Sequence, residues 1–370
     1  MKGTVIYIGG FELPDKNAAA HRVIANAKIL RDIGYNVVMV GVTKDAEMAK
    51  AENDEISSFR CRHELYPLSS LQWIKRIADI SFFKKIFSEY NDVKMVICYN
   101  YPAIALAKLS LFCKKRGVKV VSDCTEWYGA SGKNPVFRAV KRFDTWYRMT
   151  VVQKKLDGII AISDYLEGYY RKYTKVVNIP PLVDCKDEKW KACEKNNPVK
   201  TIVYAGSPGN KDKIYQLVDV LKDINERYLL KVIGISKEEF IKNYGADKDK
   251  VDALDDRIIF MGRISHKEVV EIVKMADYSC FIREINRVTT AGFPTKFVES
   301  ISCGTSVITN SSSNVDRFIK NNGYLIDLDN LKDNLIEILN EDEVLKPEDN
   351  TLFDYRRYIN VFEQFINEII

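Results

Sequence analysis

The sequence predicts an α/β protein of two doubly wound domains, and three observations carry that reading. The chain opens as a βαβ unit with a glycine-rich first loop. Its strand and helix alternation breaks once, at Ile179-Pro180-Pro181-Leu182-Val183-Asp184 and the polar stretch to Pro198. A second α/β series then begins, and 370 residues are enough for two domains of ordinary size.

Thr4 to Ile8 is rich in β-formers, Gly9-Gly10 turns, Ala18 to Ile33 has helical spacing, and Tyr35 to Val42 is β-branched after Gly34. Apolar runs at Lys94 to Cys98, Lys119 to Ser122 and Gly158 to Ile162 continue the pattern as a parallel sheet covered on both faces. After the linker, Thr201 to Ala205 is a strand, Gly206 to Gly209 a turn and Lys213 to Arg227 a helix. Leu229 to Ile233 and Arg257 to Met261 are further strands. Phe353 to Ile370 is an amphipathic helix that is expected to cross back to the first domain. The predicted domains are thus 1–182 and 183–352, with 353–370 as the returning helix, and a cleft between the domains.

With 46% apolar and 29% charged residues the chain reads as globular, which excludes disordered and fibrous classes. No stretch reaches the roughly 20 apolar residues that span a bilayer, and no signal-peptide core is present, so a cytoplasmic protein is expected. The eight cysteines are scattered without CxxC spacing and read as reduced. The three histidines, His21, His63 and His266, are too dispersed for a triad or metal site, and His63 reads as structural. Charge is uneven: residues 1–180 hold 29 Lys and Arg against 18 Asp and Glu, while 181–370 hold 27 against 33. A basic first half implies an anionic partner.

Three strand-end loops of the second domain could carry chemistry, because such loops bind ligands in α/β sheets. In Gly206-Ser207-Pro208-Gly209-Asn210-Lys211-Asp212-Lys213, glycines let the backbone approach a phosphate that a lysine can reach; a solvated surface turn is the plain alternative. In Met261-Gly262-Arg263-Ile264-Ser265-His266, Arg263 could lie near a diphosphate, and Ser265 with Glu268 spells a capping box. The third, Arg283 to Ile308, joins a strand to a helix through Gly292, Phe293 and Pro294, with Lys296 and Glu299 in the helix's first turns. Backbone N–H groups, a cation and a carboxylate together suit a ligand carrying phosphate and hydroxyls.

Ala291-Gly292-Phe293-Pro294-Thr295-Lys296-Phe297-Val298-Glu299, continuing through Ser302-Cys303-Gly304-Thr305-Ser306-Val307-Ile308, resembles the signature of retaining glycosyltransferases of family 4. Those enzymes have the GT-B fold of two facing Rossmann-like domains. The resemblance implies that Glu299 holds the ribose of a nucleotide. Ala291 stands where the family has a first Glu facing the sugar, so Arg283, Pro294, Lys296 and Glu299 fit better a subgroup with P-x-K-x-x-E and an upstream Arg. On this reading the donor is bound by Gly10, Gly206, Ser207, Arg263, Ile264, Arg283, Pro294, Thr295 and Lys296. Lys211, Glu299 and Asp123 are the catalytic candidates.

The first domain adds two matches. Gly9-Gly10-Phe11 with Asn17, His21 and Arg22 resembles the family's glycine-rich loop, which closes over the donor phosphate and helps seat the acceptor. Val120 to Tyr128 occupies a strand end where many members have a histidine near the transferred sugar; Asp123 or Glu126 takes that place, unless it only caps the next segment. Asn17, Arg22, Glu126 and Trp127 are the acceptor-binding candidates.

Cations beside the departing diphosphate lower the barrier to breaking the anomeric bond. No metal and no cofactor is therefore expected. Asp327-Leu328-Asp329 has the letters of a metal-binding D-x-D, but its position before a helix suggests capping.

Two segments, Leu71 to Phe87 and Lys133 to Arg148, mix cations with large apolar side chains as membrane-surface helices do, although the same pattern fits core aromatics with a solvated face. An anionic membrane surface is the expected partner of the first domain, and nucleic acid is not. Together these readings imply a retaining, metal-independent transferase using a nucleoside-diphosphate sugar, of UDP type, to extend a lipid-linked or surface polysaccharide such as capsule or lipopolysaccharide. It would work at the inner face of the cell membrane. A nucleotide-sugar epimerase of the same fold and a non-catalytic nucleotide-sugar-binding partner are the alternatives.

Overall fold

The computed structural model describes residues 1–370 apart from 15–16, 52–53, 128, 130–134, 210, 225–226, 246 and 253–255. Tyr128, Lys133 and Asn210, named above, lie outside the described residues. The chain divides into two compact units: Met1–Leu182 with Tyr355–Ile370, and Val183–Asp354.

The first unit runs β1 (Thr4–Gly9), α1 (Ala18–Asp32), β2 (Asn36–Thr43), α2 (Ala46–Lys50), β3 (Asp54–Ile56), β4 (Phe59–Leu65), α3 (Ser70–Ala78) and α4 (Ser81–Ser88). It continues with β5 (Val93–Tyr99), α5 (Ala103–Lys114), β6 (Lys119–Cys124), α6 (Pro135–Tyr147), β7 (Gly158–Ala161), α7 (Asp164–Tyr170) and β8 (Lys175–Asn178). Its eight strands lie in the order β3-β4-β2-β1-β5-β6-β7-β8, and only β3 and β4 pair antiparallel.

Every residue of β1 is buried, as a central strand covered on both faces must be. Successive side chains of a strand alternate between faces. Val5 and Tyr7 accordingly pack in one core with Val23, Ala27 and Leu30 of α1, and Ile6 and Ile8 in another with Phe83, Ile86, Leu106 and Leu109.

The second unit runs β9 (Lys200–Ala205), α8 (Ile214–Lys222), β10 (Tyr228–Ile233), α9 (Lys237–Tyr244), α10 (Lys248–Asp252), β11 (Ile258–Gly262), α11 (His266–Met275) and β12 (Tyr278–Phe281). It ends with α12 (Arg287–Ala291), α13 (Thr295–Ser302), β13 (Ser306–Thr309), α14 (Asp316–Ile319), β14 (Gly323–Leu325) and α15 (Leu331–Asn340). Six strands lie in the order β11-β10-β9-β12-β13-β14, all parallel.

The chain's last helix, α16 (Ile359–Asn367), follows a 3₁₀ turn at Tyr355–Tyr358, so the predicted 353–370 helix is shorter than its apolar pattern. Phe362, Phe365, Ile366 and Ile369 join the core beside α1. Gly158 makes this possible, because a Cβ there would lie 2.5 Å from Ile369 Cδ1.

Three other expectations change. The helix expected over 213–227 ends at Lys222. A short helix, α12, intervenes between β12 and the Gly292-Phe293-Pro294 turn, because Asn286 caps it through a reciprocal bond with Thr289. Asp327 does not cap α15: it accepts the Asp329 N–H and the Asn330 side-chain amide within the preceding turn, and Asn330 is the N-cap.

Candidate active site

Four strand-end segments of the second unit build the more complete constellation. β9 and β12 are neighbours, so the loops that leave their C-terminal ends run side by side. The backbone stitches them: Lys213 N–H donates to Ile282 O at 2.8 Å and Glu284 N–H to Lys211 O at 3.0 Å. Asn310, just past β13, fixes the next peptide from both sides, accepting Arg283 N–H at 2.8 Å and donating to Arg283 O at 2.9 Å.

Inside that frame Asp212 is buried and receives three donors. Arg283 Nε donates to Oδ1 at 3.2 Å; Lys296 Nζ and the Tyr204 hydroxyl donate to Oδ2 at 2.6 and 2.8 Å. Burial alone would raise the Asp212 pKa, but the charges of Lys296 and Arg283 outweigh it and hold the carboxyl below its ordinary value. Burial pushes the Lys296 ammonium below its ordinary value, Asp212 opposes that shift, and Arg283 adds to it. Lys296 Nζ also lies 4.2 Å from the centre of the Tyr204 ring, which favours the cation.

Gly206 borders the same ammonium. Its φ of +134° strains any residue with a side chain, and an added Cβ would lie 3.4 Å from Lys296 Nζ. Ser207 is exposed next to it, and Lys211 is partly exposed on the same loop. Pro294 caps α13 without a side-chain bond, and Thr295 and Lys296 follow as its first residues. The first-turn N–H groups of such a helix favour an anion.

Glu299 lies one turn further along α13, partly exposed, with Oε1 3.3 Å from His266 Nε2. His266 begins α11, whose N-cap Ser265 forms the capping box with Glu268 that the sequence spells. Arg263 is exposed and Ile264 partly buried on the loop before it. Ala291 is fully buried at the end of α12, so no side chain reaches outward from that position.

The first unit gathers a different set. Asp123 is completely buried in β6. Arg22 Nε donates to its two oxygens at 2.9 and 3.1 Å, and the Tyr7 hydroxyl donates to Oδ2. Arg22 NH1 donates in turn to Ile179 O at 2.8 Å and Pro180 O at 3.1 Å. Burial would lower the Arg22 pKa, but Asp123 outweighs it and raises it. Burial, with the Asp123 charge, pushes the Tyr7 hydroxyl well above its ordinary value. Asp123 and Arg22 therefore hold each other and the Ile179-Pro180 segment that follows β8.

Asn17 is the N-cap of α1, accepting Ala20 N–H at 2.9 Å. Gly10 is exposed, its N–H donating to Tyr99 O at 3.3 Å. Glu126 is the half-buried carboxylate beyond β6. Trp127 next to it meets Tyr165 and Tyr169 edge-on, with ring centres 6.2 and 4.9 Å apart. His63 is buried with Nε2 2.7 Å from Asp54 Oδ2, a structural pairing.

Sequence reasoning missed Asp212, Asn310 and the His266–Glu299 contact. A carboxylate between two lysines at a strand end was the one available signal, in Lys211-Asp212-Lys213.

Residues 186–350, which contain all of these second-unit groups, match the family model described as Glycosyl transferases group 1. The chain is a glycosyltransferase. Among solved structures, this glycosyltransferase is similar to sucrose-phosphate synthase from Thermosynechococcus elongatus, with a TM-score of 0.72, 14% identity, and 99% of this chain and 98% of that one covered. It is similar to the apo form of WaaB, a lipopolysaccharide outer core galactosyltransferase (TM-score 0.66, 17% identity, 99% and 100% covered). It is also similar to Anabaena HepE in complex with UDP and glucose (TM-score 0.67, 10% identity, 99% of each chain). These likenesses show the GT-B fold of two Rossmann-like α/β units. No curated protein matches the sequence. Among the described residues, no helix of this glycosyltransferase is long and apolar enough to cross a membrane.

Proposed function

We propose that this glycosyltransferase belongs to the family 4 subgroup with P-x-K-x-x-E, and transfers a sugar with retention, without a metal, from a UDP-sugar to a lipid-linked or surface polysaccharide acceptor. The observation that carries the reading is the convergence of Arg283, Lys296 and the uncapped start of α13 at neighbouring strand ends. That arrangement suits a diphosphate, and HepE, of like fold, has been solved with UDP and with UDP-glucose.

Breaking the anomeric C–O bond leaves negative charge on the diphosphate and positive charge on the sugar. Arg283, Lys296, Lys211 and Arg263 would stabilise the former, as preorganised cations do. Glu299 would hold the ribose hydroxyls. The acceptor hydroxyl would attack from the face the diphosphate leaves, and the donor phosphate would take its proton. In the first unit Glu126 and Trp127 would meet the acceptor, with Gly10 and Asn17 on the approach; Arg22 and Asp123 would keep that strand end in place.

The second part of the reading is attachment to an anionic membrane surface, at the inner face of the cell membrane. It is supported by α6, which exposes Val136, Phe137, Val140, Phe143 and Trp146 beside exposed Arg138 and Arg142.

Incubating the protein with radiolabelled UDP-sugars and lipid-linked acceptors tests the catalytic reading. Transfer is the expected result; interconversion of the sugar, or binding without turnover, would overturn it. Lys211→Ala should lower turnover while leaving the melting temperature near that of the parent chain.

A further inference from the structure

Asp212 is an odd neighbour for a site that must attract a diphosphate, since it places a carboxylate against two of the cations. Its two oxygens are divided between them: Oδ1 takes Arg283 Nε, and Oδ2 takes Lys296 Nζ and the Tyr204 hydroxyl. Arg283 uses only Nε here. Among the described residues its terminal nitrogens make no hydrogen bond, and the Lys296 ammonium donates only to Asp212. The carboxylate thus anchors both side chains while the outer face of the guanidinium keeps its donors for a ligand.

The three charges sum to a net positive site. We propose that Asp212 is a positioning residue of the donor site, which keeps Lys296 charged and aims Lys296 and Arg283 at the diphosphate of the donor. The inference rests on the donor-site reading above. A buried ammonium without a counter-charge gives up its proton more readily, and a fork anchored at Nε loses less freedom when it binds. The groups that face Lys296 are Asp212 from the β9–α8 loop, Arg283 after β12, Glu299 on its own helix, Tyr204 on β9 and Cys280 on β12. Of these, Asp212 alone is an anion in direct contact with the ammonium.

UDP is the probe, titrated calorimetrically into the full chain between pH 7 and 8.5. The parent protein should bind with nearly constant affinity. Asp212→Asn should bind more weakly, and its affinity should fall by roughly tenfold across that range as Lys296 loses its proton. Lys296→Arg in the Asp212→Asn chain should abolish the fall, because a guanidinium stays charged. Asp212→Glu keeps the charge but moves it outward by one methylene, and should bind UDP a few-fold more weakly at every pH with no fall.

A folded Asp212→Asn chain that binds UDP as tightly as the parent at every pH, or more tightly, would overturn the inference while leaving the donor site intact. If Asp212→Asn does not fold, Asp212→Glu decides: parental affinity overturns the positioning role. A folded parent chain that binds no nucleoside diphosphate defeats the donor-site reading itself, and this inference with it.

Discussion

Arg22 and Asp123 meet inside the first unit although 101 positions separate them, with Arg22 Nε 2.9 Å from the carboxylate. Neither side chain is exposed to solvent by more than 3%. Breaking such a pair from one side leaves a buried charge without compensation, which costs roughly 3–5 kcal/mol. Arg22→Ala and Asp123→Ala should each lower the unfolding free energy by about that much in urea denaturation. The double variant should cost less than the two singles added together. Additive losses would mean that the pair is not coupled.

Glu299 makes a second, smaller contact with His266 at 3.3 Å. On the proposed donor-site reading Glu299 holds the ribose hydroxyls through charge-assisted hydrogen bonds, so Glu299→Ala should weaken UDP binding by roughly 1.5–3 kcal/mol. Calorimetric titration measures it. Unchanged affinity would remove Glu299 from the donor site.

The periodicity-bearing parts of this chain were legible because each is written in a short window. The first βαβ unit, the strand-end loops after β9 and β11, and the Ser265–Glu268 capping box all depend on residues within a few positions of one another. Asp212 was not legible for the opposite reason. Between two lysines it reads as solvated, and only Lys296, 84 positions on, reveals that it is buried and bridged. Arg22 and Asp123 are a similar case: each was readable as a polar residue near a strand or helix end, but not as the other's partner. The short edge pair β3–β4 was missed because Asp54–Ile56 is too brief to show alternation.

The Asp212 bridge also predicts how stability responds to acid. Lys296 and Arg283 hold this carboxyl below its ordinary value in spite of burial. Its contribution is therefore fully present above the unfolded value, near pH 4, and is lost as pH falls through the lower folded value. Melting temperatures of the parent chain should drop across that acid window. Asp212→Asn should start lower at neutral pH and drop less over the same interval. Parallel curves for the two proteins would show that other carboxylates set the acid limb.

Helix α6 supplies the prediction for the membrane. Phe143 and Trp146 are each about half exposed, and Phe143 stacks on Tyr147 with ring centres 5.7 Å apart. Aromatic side chains arranged this way can enter the acyl boundary of a bilayer while Arg138 and Arg142 stay at the headgroups. Each such cation near an anionic surface contributes about 1 kcal/mol. The chain should therefore sediment with vesicles containing phosphatidylserine and stay in solution with neutral ones. Arg138→Glu with Arg142→Glu should reduce the bound fraction strongly and weaken its salt dependence, while the uncharged replacements Phe143→Ser with Trp146→Ser should reduce it without changing the salt dependence. Both pairs replace exposed positions, so unchanged melting temperatures separate lost binding from lost folding. Equal absence from anionic and neutral pellets would remove the membrane from this protein's partners.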